Sequence, residues 1–230
     1  MSSRVVRWAS ADGPADVLAR QLCADHPGDL IDVRDPELVA ALVTAGATAT
    51  RRSLLMVRPI PAEDGGPDPV VDAGTSVEVA DMADDPARYA GPLLRAFPPE
   101  HPDYDPDIFD LATAEAALRS YFDGSVIGPW LASASAEARS PDGEVVGGIV
   151  IARMPPHDTN PGGPWITDVF VEPSHHGAGI GRALLASAIA RLGEEGEDAL
   201  WLAVQVDNPA RRLYERMGFT TDSSWTRFAL

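Results

Sequence analysis

Lysine is absent from this chain: all 18 basic residues are arginine. No side-chain amine is therefore available for acylation, and only the N-terminus remains. Cysteine is nearly absent as well, and the single Cys23 excludes an intrachain disulfide and a cysteine-based zinc site. The five histidines do not fall at ligand spacing, so no metal is expected. Positive charge is scarce, with 18 basic against 35 acidic residues and a net charge of -17, which argues against a nucleic-acid partner because phosphate backbones demand a positive surface. Cationic partners such as amines fit better. Long apolar runs are missing too: none approaches the about 18 residues of a membrane span. Ser2 to Arg7 leads into Trp8-Ala-Ser-Ala-Asp-Gly13 rather than into an apolar leader segment. The expectation is a cytoplasmic protein with no membrane partner.

At 230 residues the chain is long enough for one large domain, or one domain plus an appendage. Ile60 to Thr75 is dense in Pro, Gly and Asp and reads as a linker, which gives an N-terminal segment 1–60, a linker 61–76 and a main domain 77–230. Within the main domain, Val77 to Ala80 reads as a strand, and Pro86 to Phe97 and Ile108 to Phe122 as helices. Trp130 to Arg139 and Glu144 to Ala152, joined by Ser140-Pro-Asp-Gly143, read as a hairpin. Trp165 to Val171 reads as a strand running into a glycine turn and a helix to about Leu192, with Leu185, Ile189 and Leu192 on one face. Leu200 to Val206 is a strongly apolar strand, in which Trp201 is assigned to the core. The last helix is expected to open on Asn208 as cap with Pro209 at its first position, and to close at Gly218. Phe219 to Leu230 supplies one or two closing strands.

The densest chemical signal is His176-Gly-Ala-Gly-Ile-Gly181. Backbone N–H groups at Gly177, Gly179 and Gly181, followed at once by a helix N-terminus, form a concave array of donors that suits an anion. Glycine permits close approach and positive φ there. A plain strand-to-helix connection is the alternative. A dinucleotide fingerprint would need its third glycine one residue later, which weakens that reading.

The turn resembles the R/Q-x-x-G-x-G/A acyl-CoA loop of the GNAT superfamily of N-acyltransferases. Leu200 to Phe219, a strand followed by Asn208-Pro-Ala-Arg-Arg-Leu-Tyr-Glu-Arg-Met-Gly-Phe219, is similar to the family's second signature, N-x-x-A-x-x-L-Y-x-x-x-G-F. The resemblance covers Val77 to Leu230 and implies an α/β (α+β) fold with a mixed, mostly antiparallel twisted sheet flanked by helices, here with a smaller N-terminal α/β subdomain. It implies direct transfer of acetyl from acetyl-CoA to an amine, without an acyl-enzyme. In its terms His176, Gly177, Ala178, Gly179, Ile180, Gly181 and Arg182 would hold the pyrophosphate, chiefly through main-chain N–H groups. Val169, Phe170 and Val171 would run beside the pantetheine arm, with an N–H there facing the developing oxyanion. Asn208 and Arg211 would line the cofactor's far side.

Tyr214 matches the family's tyrosine, which sits by the thioester sulfur and protonates the departing thiolate; a phenol of pKa near ~10 is protonated at neutral pH. The helical spacing of Ala210, Leu213, Tyr214 and Met217 also fits simple packing. The strand before the last helix offers no glutamate as general base, so Asp168 is the candidate, acting through water or serving structure instead, with Glu172 second. His176 stands where Arg or Gln is usual; if it contacts phosphate, cofactor affinity should strengthen below pH ~6.5. Glu100-His-Pro-Asp-Tyr-Asp-Pro-Asp107 joins the first two helices and borders the acceptor pocket in the family; it selects a cationic amine by charge or is a solvated surface. A non-catalytic acyl-CoA-binding module is the competing function, and both monomer and homodimer remain open.

Asp29 to Thr50 repeats the plan of the second signature: apolar strand, Asp and Pro, short helix, Gly, strand. Arg4 to Ala9 and Pro14 to Ala24 would then match the strand and helix around a glycine loop that is itself missing, and Ala41 or Leu42 takes the place of Tyr214. The segment 1–60 is thus read as a degenerate half of the same fold or as a generic α/β extension.

Overall fold

A computed structural model describes residues 13–60, 77–156 and 160–230, together with the backbone of Val5–Arg7. The proposed linker 61–76 lies outside the described residues. The elements in chain order are β1 (Val5–Arg7), α1 (Ala15–Asp25), β2 (Leu30–Val33), α2 (Pro36–Thr44), β3 (Thr48–Pro59), β4 (Glu78–Asp81), α3 (Pro86–Ala96), α4 (Leu111–Phe122), β5 (Ala136–Arg139), β6 (Val145–Met154), β7 (Gly163–Val171), α5 (Ile180–Glu194), β8 (Ala199–Gln205), α6 (Arg211–Arg216) and β9 (Thr220–Ala229). Among the described residues no helix is long and apolar enough to cross a membrane.

The chain divides into two compact units. The first comprises Met1–Met56, Ala203–Asp207 and Thr221–Leu230. Its β1 and β2 are parallel, and β2 pairs antiparallel with β9. Asp32 and Arg227, opposite each other in that register, form a two-pronged pair at 2.7 Å per bond. Ala19, Ile31, Val33, Leu38, Leu42 and Phe228 are buried together between the helices and these strands. The α2 helix starts where it does because the Asp35 side chain accepts from Glu37 N (2.8 Å) and Leu38 N (3.4 Å), with Pro36 at the first position.

The residues of this unit differ from the segment 1–60 expected from the sequence. The N-terminal segment completes its sheet with the last strand of the chain, so the division falls inside β3, β8 and β9. The β1–α1–β2–α2 order follows the plan of β7–α5–β8–α6, with a parallel strand pair in each.

The second unit, Val57–Leu202 and Asn208–Thr220, contains a sheet in the order β8-β7-β6-β5-β4. Neighbours are antiparallel except β7 and β8. The mixed, mostly antiparallel sheet flanked by helices is the expected fold class. Met82, Tyr89, Ala90, Leu93, Ala96, Ala114, Leu118, Val150 and Phe170 pack α3 and α4 against this sheet. The α5 helix buries Leu184, Leu185, Ala188, Ile189 and Leu192, and Trp201 is buried on β8.

Three local expectations shift. The α4 helix begins at Leu111 rather than Ile108, because Asp110 and Thr113 form a reciprocal capping box. The first arm of the hairpin is a strand only over Ala136–Arg139. Ahead of it Trp130 makes a single bridge to Ala152, and the buried Ser135 hydroxyl accepts from Ile151 N (3.0 Å) and Trp130 Nε1 (2.9 Å) while donating to Leu131 O (2.9 Å). A side chain thus substitutes for the strand ladder. The last α-helix starts at Arg211, after a tighter turn in which Arg211 N, Arg212 N and Leu213 N donate three residues back.

Candidate active site

The site grows from a separation of two strands. β7 and β8 pair in parallel at Trp165–Trp201 alone, although β7 continues to Val171. In the same stretch β7 carries one extra residue against β6: Val150 faces Asp168 while Ile151 faces Ile166, leaving Thr167 over. The Thr167 hydroxyl donates to Val150 O at 3.0 Å. Such a bulge bends a strand and strengthens its twist, turning the end of β7 away from its neighbour.

Beyond the bulge the register is regular. Glu172 N donates to Val146 O on the β6 side (2.8 Å), so by alternation the main-chain groups of Val169 and Val171 face the other way, into the opened edge.

At the mouth of that opening, a 3₁₀ turn (Pro173–His175) leads to Gly177 and Gly179, with φ of 82° and 79°. Gly179 is the N-cap of α5 and supplies no side-chain cap, which leaves the first-turn amides of Ile180, Gly181 and Arg182 without intrahelical partners. Those amides and the positive end of α5 point to one place, the arrangement that binds an anion. A Cβ on Gly181 would meet Leu213 Cδ2 at 3.3 Å and Val171 Cγ2 at 3.8 Å. Glycine there lets α5 approach α6 closely.

A cavity of about 480 Å³ fills the space. It is lined by Val169, Phe170, Val171, His176, Gly177, Gly179, Ile180, Gly181, Arg182, Asn208 and Tyr214, all anticipated from the sequence. Ala178 is not in the lining; its amide is turned toward His175 O (3.4 Å). Arg211 is also outside, because it pairs with Glu215 one helical turn on (2.8 Å). Arg216 supplies a lining cation in its stead. The His176 ring folds back so that its Nε2–H donates to Val171 O (3.0 Å). Ala96, Phe97 and His101, from the end of α3 and the loop after it, also line it; His101 belongs to the loop expected beside the acceptor pocket, whereas nothing local in the sequence marked Ala96 and Phe97.

Tyr214 is 6% exposed, with its ring edge-on to Phe219 at 5.8 Å. Burial, with the charges of Asp103 and Asp168 added, pushes its phenol well above the ordinary tyrosine value. Asp168 has a deep carboxyl oxygen, Oδ2, that is inaccessible and has no hydrogen-bond partner among the described residues. Burial first, then Asp103 and Asp105, raise this carboxyl to about 7, against the opposing effect of a hydrogen bond from Tyr121. Tyr121 went unrecognised in the sequence; the Asp168 charge and burial hold its phenol protonated. Glu172, the second candidate base, is held instead by Arg95, whose Nε reaches both carboxylate oxygens (2.9 and 3.0 Å). Asn208 uses both ends of its amide: Oδ1 accepts from Ala210 N (2.7 Å), and Nδ2 donates to Asp103 Oδ2. Among the described residues no three His, Cys, Asp or Glu side chains are grouped for a metal ion.

The splayed end of β7, the glycine-turned start of α5 and the buried Tyr214 thus face one cleft, with Asp168 outside its lining. The chain belongs to the acetyltransferase (GNAT) family, whose model matches residues 93–219. Over a short stretch it is 42% identical to the [ribosomal protein bS18]-alanine N-acetyltransferase of Haemophilus influenzae, covering 23% of this chain and 36% of that one. It is 29% identical to a mycothiol acetyltransferase of Brachybacterium faecium, over 79% of this chain and 52% of that one. The chain spans between 52 and 62% of the length of the mycothiol acetyltransferases it matches over most of its own. The fold is shared with a GCN5-related N-acetyltransferase from Sphaerobacter thermophilus, at a TM-score of 0.65 and 16% identity, over 88% of this chain and 59% of that one.

Proposed function

We propose that the protein transfers acetyl from acetyl-CoA directly to a primary amine, with Tyr214 as the acid that protonates the departing thiolate and Asp168 as the base. The observation that carries the reading is the single cavity bounded at one end by the uncapped start of α5 and at the other by Tyr214. The α5 amides, with Arg182 and Arg216 in the wall, suit a pyrophosphate. The main-chain groups of Val169 and the N–H of Val171 offer an extended arm the hydrogen bonds that a neighbouring strand would otherwise take, the Val171 carbonyl being held by His176.

Each titrating group is in the state its role requires. The raised phenol of Tyr214 stays protonated at neutral pH, ready to donate. A carboxyl near 7 accepts a proton from an alkylammonium far better than an ordinary aspartate does, because its proton affinity lies closer to the amine's. Asp103 and Asp105, near enough to raise Asp168, make the acceptor end anionic and favour a cationic amine.

The test is release of free CoA thiol across linear diamines, amino sugars and short peptides with free N-termini, with Tyr214→Phe as control. Turnover well above background, cut at least about 10²-fold by the substitution, supports the reading. Thermal stabilisation by acetyl-CoA without turnover on any amine would point to a binding module instead.

A further inference from the structure

The connection between α3 and α4 is held chiefly by bonds within itself. His101 N donates to Pro98 O, Tyr104 N to His101 O and Ile108 N to Asp105 O, and Asp103 N donates to His101 Nδ1 at 3.1 Å. A hydrogen bond from Asn208 Nδ2 to Asp103 Oδ2 reaches far beyond it, across 105 residues of sequence.

The donor's orientation is not a matter of chance. Asn208 is 6% exposed, and its Oδ1 is occupied by Ala210 N in the turn that starts the last helix. With the oxygen fixed there, the NH₂ group must face the loop. A buried amide that accepts from its own turn and donates to a carboxylate is a joint between two elements.

We propose that Asn208 is a positioning residue for the acceptor side: its bond to Asp103 latches the α3–α4 connection to the turn leading into α6, the helix that carries Tyr214. The role in acceptor binding rests on the proposed function; the latch itself does not.

The chemistry permits a swap that separates a latch from general damage. Asn208→Asp keeps an oxygen for Ala210 N but sets a carboxylate against a carboxylate. Asp103→Asn keeps an acceptor for Asn208 while removing the charge. The double variant Asn208→Asp/Asp103→Asn restores a bond with donor and acceptor exchanged.

Hydrogen exchange of the full chain, followed in peptides covering 97–110, reads the latch directly, and calorimetry with acetyl-CoA reads the other side of Asn208. Exchange in the loop should accelerate about ten- to hundredfold in Asn208→Asp, the span expected for loss of a charge-assisted bond. It should return to within about threefold of wild type in the double variant. Asp103→Ala, which leaves the Asn208 turn intact, should accelerate it as well. Acetyl-CoA affinity should stay within about threefold in Asp103→Ala, whose side chain lies outside the cavity lining. Loop exchange unchanged in Asn208→Asp or in Asp103→Ala, or acceleration that the swap does not reverse, overturns the latch. So does a tenfold loss of acetyl-CoA affinity with an unaltered loop, which would make Asn208 a cofactor residue. None of these readouts needs turnover, so an enzyme that acetylated no amine would leave the latch standing or falling by itself. With a linear diamine that does turn over, the amine KM should rise in Asn208→Asp by a larger factor than kcat falls.

Discussion

Replacing Asp168 by Asn tests the electrostatics of the site without changing its shape. The carboxyl is held at about 7 in the folded protein against 3.8 as the ordinary value. Folding therefore takes up a proton between those two values, and stability declines as pH rises from about 4 toward 7. At about 1.4 kcal/mol per unit, the ionised group costs the folded state about 4 kcal/mol at pH 8 and less than half of that at pH 5. Asparagine carries no such cost, and its amide oxygen still accepts from Tyr121. Urea unfolding at pH 5 and pH 8 should show Asp168→Asn gaining about 2–3 kcal/mol on wild type between the two conditions. The same group has a kinetic signature. Wild-type kcat/KM should rise with pH through about 7 as the base loses its proton, whereas the variant should lack that inflection and run at least about 10²-fold slower. A stability difference that is flat from pH 5 to 8 would refute the assignment, because it would mean that the carboxyl titrates normally and that neither burial nor Asp103 and Asp105 act on it.

Other substitutions reach other parts of the site. Tyr214→Phe should lower kcat about 10²- to 10³-fold while acetyl-CoA affinity, read by calorimetry, changes by less than about threefold, since the hydroxyl acts on the leaving group. Gly179→Ala places a Cβ at φ 79°; it should cost about 1–2 kcal/mol in thermal unfolding and weaken acetyl-CoA binding measurably. Glu137 is fully buried between Arg88, Arg139 and the Tyr89 hydroxyl. Glu137→Ala should destabilise by about 2–3 kcal/mol in denaturant, the lower side of the cost of breaking a buried pair, because both arginines still reach water.

What the sequence disclosed was mostly backbone. Gly177 and Gly179 have positive φ, a requirement glycine meets and a β-carbon resists, so the turn was legible where it stands. The apolar strands and the helices between them followed from periodicity. The bulge at Thr167 was not legible, since a β-branched residue suits an uninterrupted strand equally well. Arg211 was misassigned although a cue was present: Glu215 lies four residues on, the spacing at which a helical ion pair holds an arginine to its own surface. The N-terminal segment was read as strand and helix in the right order, yet its partner β9 is nearly 200 residues away, and local pattern carries no information about pairing at that range.

The acceptor end shows why side-chain chemistry was harder to see than the turn. Asp103 and Asp105 belong to an acidic run that looks, residue by residue, like an ordinary solvated loop, and Asp105 is indeed exposed. Asp168 looks like one polar residue in an apolar strand. Neither segment predicts a perturbed carboxyl. The perturbation arises in the folded chain, where Asp168 Oδ2 is shut off from water and the loop brings two further negative charges to bear on the same carboxyl. An ammonium entering there would be drawn by all three acids and would relieve their repulsion, lowering the Asp168 value as it bound. Amine binding should therefore release protons near pH 7, a quantity that calorimetry in buffers of different ionisation enthalpy measures. A neutral alcohol of the same length should bind with no proton release. If the two ligands behaved alike, the acids would not be reading charge at all.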